Sequence, residues 1–146
     1  MSNLTNYAEN KVIDALFRGQ ALGAPATWDV ALYTSDPTET GAAGTEITGG
    51  SYARVAVTAS LANFAGTQSA GSTTASSGTG GQTSNNAAIT FSAPTANWGV
   101  ASHFGILDAS TGGNAWIYGA LTTPKTINNG DPAPSFPIAS LTFTAA

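Results

Sequence analysis

The sequence predicts a mainly β domain, an antiparallel β-sandwich or jelly-roll-like fold with one N-terminal α-helix. Two observations predict it. Short apolar or alternating runs recur between clusters of turn residues, and helical spacing occurs only near the N-terminus. Consecutive strands without intervening helices are typical of antiparallel all-β folds. A chain of 146 residues fits one domain, so we expect residues 1–146 to form a single unit.

The helix is predicted over residues 4–20. Thr5 or Asn6 can supply the N-cap oxygen, and Gly19 is suited to the position after the helix. A helix of this length is marginal by itself, so we expect its apolar stripe to dock on a sheet. That stripe comprises Leu4, Ala8, Val12, Ile13, Leu16 and Phe17.

The strand signals follow this helix and number about six or seven. The turn at 108–114 joins two of the runs into a predicted β-hairpin, and Asn129-Gly130 is a strong turn signal. Three prolines predict an irregular stretch or an edge after that turn. The runs lie at residues 28–34, 52–58, 88–91, 100–107, 116–121 and 138–144.

Residues 65–86 contain little beyond Gly, Ser, Thr, Ala, Gln and Asn. Such composition is typical of flexible linkers. We interpret the segment as a Gly/Ser/Thr-rich loop or arm. A neighbouring chain is a natural candidate for ordering it, and a crystal contact is the alternative.

Charged residues make up only 8% of the chain, against roughly 25% in an average protein. Small uncharged side chains lose little entropy and need no charge desolvation when an interface forms. The composition therefore favours permanent assembly over the alternative, a low-charge extracellular domain.

Several classes of function are disfavoured by the same composition. The four basic residues are scattered and the net charge is −4, so we expect no nucleic-acid binding. The absence of Cys excludes disulfide scaffolds, thiol catalysis and Cys-ligated zinc. There is no signal-peptide pattern, and no apolar run approaches about 18 residues, so we expect no membrane insertion.

His103 is the only histidine, with Ser102 beside it and Asp108 five residues on. A catalytic base needs a nucleophile within reach and an orienting partner. Neighbouring strand residues point to opposite faces, so we predict that Ser102 and His103 do not face each other. We expect a hydrogen-bonded structural histidine and no catalytic residue.

Glycoside hydrolysis is a function that the carboxylates could serve, and it needs two of them that flank one bond. Most of them sit in turn or helix-end contexts that explain them. A calcium site from Asp36, Glu39 and Glu46 lacks the spacing of an EF-hand loop. The glycine pairs 80–81 and 112–113 open no helix and are not phosphate loops. We therefore predict no metal and no cofactor. The eight acids are Glu9, Asp14, Asp29, Asp36, Glu39, Glu46, Asp108 and Asp131.

Aromatic residues offer two interpretations. Exposed and clustered rings could stack on a sugar, whereas rings within or beside strands usually pack into a core. The positions favour core packing. The rings concerned are Trp28, Trp98, Trp116, Tyr33, Tyr52 and Tyr118.

Several sequence blocks, taken in order, resemble a family of small tailed-bacteriophage proteins labelled tail-fibre-like. The strongest block runs from Trp98-Gly99 through His103-Phe104-Gly105-Ile106-Leu107-Asp108-Ala109 to Gly112-Gly113-Asn114 and Tyr118-Gly119-Ala120-Leu121-Thr122-Thr123-Pro124-Lys125. Earlier blocks are Leu4-Thr5-Asn6-Tyr7-Ala8-Glu9-Asn10-Lys11, Val30-Ala31-Leu32-Tyr33-Thr34-Ser35-Asp36-Pro37 and Gly50-Ser51-Tyr52-Ala53-Arg54. The resemblance implies a structural role in a virion and brings no catalytic residues.

The resemblance and the low content of charged residues together lead to one main hypothesis and two alternatives. We expect a non-enzymatic virion protein, made in the host cytoplasm, that acts as a capsid decoration (cement) protein or a tail-fibre-like component. Its partners would be copies of itself, possibly as a trimer, and major capsid or tail proteins. The alternative is a host-receptor module that binds surface glycan. A depolymerase is the third hypothesis.

Overall fold

A computed structural model describes residues 2–145 and contains one helix and nine strands. No helix within that range is both long and apolar enough to span a bilayer. The elements are β1 (Ser2–Leu4), α1 (Asn6–Phe17), β2 (Thr27–Tyr33), β3 (Val55–Thr58), β4 (Gln82–Ser84), β5 (Ile89–Thr90), β6 (Gly99–Leu107), β7 (Ala115–Ile127), β8 (Ser135–Phe136) and β9 (Thr142–Thr144).

The main sheet has five strands in the order β1-β7-β6-β2-β3, and every pair in it is antiparallel. Two short antiparallel ladders, β4-β9 and β5-β8, accompany it. The predicted mainly β class with one N-terminal helix is confirmed. The smaller layer consists of two ladders and loops, because its strands are only two or three residues long.

The core lies between the main sheet and these ladders. Alternate residues of the central strands point to one face, as Val30 and Leu32 of β2 and Ile106 of β6 do. The ladders and loops supply the opposing side chains, including Ile89 and Leu141. A smaller cluster on the other face contains Ala31, Tyr33, Leu107 and Ala115.

Helix α1 is fixed at its N-terminal end. The hydroxyl of Thr5 caps the helix by accepting the Ala8 N–H at 3.3 Å, and it donates to the Ala115 carbonyl at 2.6 Å. Ala8 is the only helical residue that is buried. Gly19 has φ +68°, as expected for a residue just past a helix. The prediction that the whole apolar stripe docks on a sheet is wrong, since Ile13, Leu16 and Phe17 are exposed.

Strand boundaries differ from the predicted ones where tertiary pairing decides them. The predicted hairpin is confirmed as β6 and β7, but β7 continues to Ile127. The second predicted strand begins only at Val55, and the last is reduced to Thr142–Thr144, with Ile138 62% exposed. Three very short strands, β1, β4 and β8, were not predicted because each forms only by pairing with a longer or distant partner.

The Gly/Ser/Thr-rich arm forms a local structure of its own. The side-chain amide of Gln68 donates to the Ser72 and Thr74 hydroxyls at 2.7 Å and to the Ala75 carbonyl at 3.2 Å. Its oxygen accepts the Ser77 N–H at 3.2 Å. β4 then joins the end of the arm to β9. These contacts lie within the chain, and a contribution from a neighbouring chain stays a prediction.

Candidate functional site

Ser102 and His103 lie together on β6, and the prediction that they do not face each other is wrong. The Ser102 Oγ is 2.8 Å from the His103 Nδ1. Both Ala101 and Phe104 belong to the core, so the two residues between them share the outer side. A register shift between β6 and β7 falls at this point. Such a bulge interrupts the strict alternation of side chains along a strand.

The acid nearest to this pair is Asp36, not Asp108. The Asp36 Oδ2 lies 4.0 Å from the His103 Nε2, beyond hydrogen-bonding range. The other Asp36 oxygen accepts the Thr38 N–H at 2.8 Å and so stabilises a turn. Neither Ser102 nor His103 lines either of the two clefts described for the chain. The arrangement does not orient the imidazole as a catalytic base requires.

Asp108 stabilises the β6–β7 turn. Its carboxylate accepts hydrogen bonds from the Asn114 N–H at 2.7 Å, the Trp116 Nε1 at 3.2 Å and the Asn114 side chain at 3.3 Å. Desolvation would raise the pKa of Asp108, but these hydrogen bonds outweigh it and hold the pKa below its usual value. This acid therefore acts as a structural anion.

Glu46 is engaged by Arg54 and Tyr52. Arg54 donates to both Glu46 oxygens at 2.8 Å, and the Tyr52 hydroxyl donates to Oε1 at 3.0 Å. The hydrogen bond to Glu46 raises the pKa of Arg54, and burial raises the pKa values of Tyr52 and Tyr33. All three groups thus keep their ordinary protonation states at neutral pH.

The remaining candidate residues for a metal or phosphate site do not lie together in one site. Within residues 2–145 there is no group of three or more His, Asp or Glu side chains that could hold a metal ion. Glu46, one of the three acids of the disfavoured calcium site, is the partner of Arg54. Gly81, Gly112 and Gly113 have positive φ values and occupy loop positions.

The aromatic side chains mostly pack, as the strand positions predicted. Trp98 and Trp116 are each 5% exposed. The Trp116 ring makes edge contacts with Trp28 and Tyr7, at centroid distances of 5.5 and 5.4 Å. Trp28 remains half-buried. These rings do not form an exposed stacking platform.

A cleft of about 290 Å³ lies between β7 and the segment that carries β8 and β9. Phe91, Phe104 and Phe136 contribute apolar walls, and Lys125 contributes the one charged side chain. Residues 121–123 form part of the wall. They belong to the bulged stretch 121–124 of β7, whose four residues lie opposite Ser102 alone in the register with β6. The proline at 124 is a sequence signal for this irregularity, because proline cannot donate to the ladder of a strand.

A second unpartnered surface is formed by exposed apolar side chains of α1 and the segment after it. We call Ile13, Leu16, Phe17 and Leu22 the helix stripe. Their exposed fractions are 52%, 70%, 82% and 39%. Of these four residues, Ile13, Leu16 and Phe17 belong to the stripe that was predicted to dock on a sheet, whereas Leu22 lies beyond the predicted helix.

The comparisons with known proteins identify the family. The family model described as "Podophage GP4 fiber I protein gp80" matches residues 3–144. The chain belongs to this family. The fibre I family is a family of phage structural proteins, so the resemblance to tail-fibre-like proteins is confirmed and the chain is a structural component of a bacteriophage virion. No curated protein matches this fibre I family member.

Proposed function

We propose that the chain is a non-enzymatic subunit of a podophage tail fibre, assembled with copies of itself and with neighbouring virion proteins. The observation that carries this proposal is the fibre I family match over residues 3–144. The name of the family, a fibre protein, supports a place in the tail over one on the capsid. Capsid decoration, which the sequence alone left open, remains an outcome of the test.

The chemistry of the chain supports an assembled state. Its surface is built largely from Ser, Thr, Ala, Gly and Asn, with charged residues at only 8%. Such a surface associates with little desolvation of charge. The carboxylates of Glu46 and Asp108, which bind Arg54 and Asn114, hold loops of the same chain. Their hydrogen bonds support a structural rather than a chemical role for them.

Glycan recognition has weaker support as the primary role. Sugar binding commonly uses an exposed aromatic face, but the rings of Trp98 and Trp116 are buried. Only Trp28, among the three tryptophans, keeps part of its ring accessible. The proposal is therefore an assembly role, in which binding is to protein.

The test is to locate the protein on the intact particle. A short epitope inserted at the exposed Gly71 loop position would be detected with gold-labelled antibody on purified virions. We expect label on tail fibres. Label on the capsid would support decoration, and absence of the chain from purified virions would overturn the structural role in the fibre.

A second arm of the experiment addresses receptor binding. Purified chain would be incubated with host cells and with fibreless particles from a phage that lacks the gene. We expect capture by the particles and not by the cells. Capture by cells alone, competed by host polysaccharide, would overturn the assembly role in favour of the glycan-binding alternative.

A further inference from the structure

We propose that the helix stripe is the self-association surface of the chain, and that it packs against the helix stripe of a second copy. This inference rests on the proposed function, since it names the surface through which copies assemble. The family match does not say which surface of the chain makes this contact. It assigns the contact to one face of α1 and to the segment that follows.

Exposed apolar side chains are concentrated in the helix stripe. Seven large hydrophobic residues are exposed among residues 2–145, and four of them lie in the helix stripe, within ten positions of one another. Phe17, at 82%, is the most exposed of the seven. Single exposed apolar residues are ordinary, but a contiguous patch marks an interaction site.

The second argument is the direction of the helix. Successive residues of an α-helix are rotated by about 100°, so Phe17 lies opposite the buried Ala8, which packs into the domain. Ile13 lies one turn before Phe17 and shares its side, and Leu16, about 100° from Phe17, lies at the edge of the same face. The apolar face thus points away from the domain that carries the helix.

The third argument is the spacing along that outward face. Asn6, Asn10, Ile13 and Phe17 follow one another at intervals of four, three and four residues. This is the spacing at which one helix packs along another, and an Asn in such a seam fixes register. A second copy of α1 presents the same seam, and a two-fold symmetric interface uses the same surface of both copies.

The charges of α1 do not oppose this contact. Arg18 and Asp14 form an ion pair of 3.0 Å on the flank of the helix, and Lys11 lies over the ring of Tyr7 at 5.6 Å. Because Asp14 and Arg18 pair with each other, the apolar face can be covered without separating them. Glu9 is exposed in the first turn, about two turns before Leu16. A strongly charged partner would find no complementary group on the stripe itself.

The area is sufficient for a modest interface. The four side chains expose roughly 300–400 Å² of apolar surface, on ordinary side-chain areas. A standard interface covers about 800 Å² on each partner, and about two-thirds of a homodimer interface is apolar. The stripe therefore supplies more than half of the apolar contact. Exposed small residues of 18–24 supply adjoining surface.

The test compares a paired variant with a matched control. Leu16→Ser with Phe17→Ser removes the most exposed part of the stripe, and Ile138→Ser changes a residue that is 62% exposed elsewhere. Sedimentation over a range of concentrations would measure the dissociation constant. We expect the paired variant to raise it by at least about 30-fold, as for loss of a central contact, and the control to leave it within about threefold. Equal association of the paired variant and the wild type would overturn the inference.

Crosslinking tests the position directly. The chain has no Cys, so Ile13→Cys introduces a unique thiol in the stripe and Ile138→Cys a unique thiol outside it. We expect oxidation at low micromolar concentration to link copies of the first variant and not of the second. Circular dichroism should show both variants folded. Equal linkage in both variants would contradict the assignment.

Failure of this inference is distinguishable from failure of the proposed function. If the wild type is monomeric but the paired variant loses binding to another virion protein, the stripe has a different occupant and the inference is overturned. The fibre role would then survive. If labelled wild-type chain is absent from the tail, the proposed function fails whatever the sedimentation result.

Discussion

The Arg54 guanidinium donates two hydrogen bonds to the Glu46 carboxylate, from Nε to Oε1 and from Nη2 to Oε2, each 2.8 Å long. The side chains are only 8% and 23% exposed. The remaining nitrogen of Arg54 donates to the carbonyls of Ala109 and Gly112 at 2.7 and 2.8 Å. One side chain thereby joins the segment before β3 to the β6–β7 turn.

Arg54→Met should destabilise the domain by about 3 kcal/mol. The substitution leaves a largely buried carboxylate without its cation and two turn carbonyls without a donor, which costs far more than the net contribution of an exposed pair. Urea unfolding followed by tryptophan fluorescence would measure the change. The control is Arg18→Met, which removes a pair whose side chains are 71% and 42% exposed and should cost about 0–1 kcal/mol. Similar losses in the two variants would contradict the structural role of Arg54.

Asp108→Asn should lower stability by about 1 kcal/mol at pH 7, because a charged acceptor of three hydrogen bonds becomes neutral. The pKa of Asp108 is lowered in the fold, so the folded state favours the carboxylate. Its contribution is complete above the unfolded value of 3.8 and is lost as pH falls through the lower folded value. The difference in stability between the wild type and the variant should therefore shrink below about pH 4. Melting temperatures from pH 7 to pH 3 would show it, and a constant gap would refute the assignment.

The long central strands could be predicted from sequence because their signal is local. In β2 the run Val30-Ala31-Leu32-Tyr33 is buried throughout, and in β6 the last four residues are. Continuous apolar runs of this length, bounded by turn residues, are typical of buried strands. The short strands lack such runs. Ser2–Leu4 becomes a strand only because β7 offers it a paired edge.

The Ser102–His103 contact could not be predicted from strand alternation. Alternation assumes a regular strand, and the register with β7 is broken between Ala101 and His103. That register depends on how residues 121–124 bulge from β7, which is a property of the paired strands. Pro124 alone signals an irregularity, but not where it falls on the partner.

The orientation of α1 was partly available from sequence. At about 100° per residue, Ala8 and Phe17 point in opposite directions, so they cannot belong to one narrow stripe. Counting both as one face produced the wrong docking prediction. What the spacing could not supply is which face the domain covers, because that depends on Thr5 and its bond to the Ala115 carbonyl.

Asn85→Asp should destabilise the chain by about 3 kcal/mol. The Asn85 side chain is 1% exposed and donates to the carbonyls of Ala87 and Pro137 at 2.8 and 2.9 Å, while its oxygen accepts the Leu141 N–H at 2.9 Å. An aspartate places an oxygen against the two carbonyls and buries a charge. Denaturant unfolding would measure the loss. Asn129→Asp, at an exposed turn residue, should change stability by less than about 0.5 kcal/mol, and an equal effect at the two sites would be inconsistent with this network.

Replacing residues 68–77 with two glycines should leave the domain folded, with a change in stability within about 1 kcal/mol. The Thr67 Oγ1 and the Gly78 N–H are already 3.0 Å apart, so a short connection can replace the loop, and loop length has a weak effect on closure entropy.

Gln68→Ala, which removes the side-chain bonds within the loop, should accelerate amide exchange at Ser77, whose N–H it releases. Exchange at Val30 in β2 serves as the internal reference and should not change. Loss of folding on loop replacement, or faster exchange throughout the sheet in Gln68→Ala, would show that the arm stabilises the core.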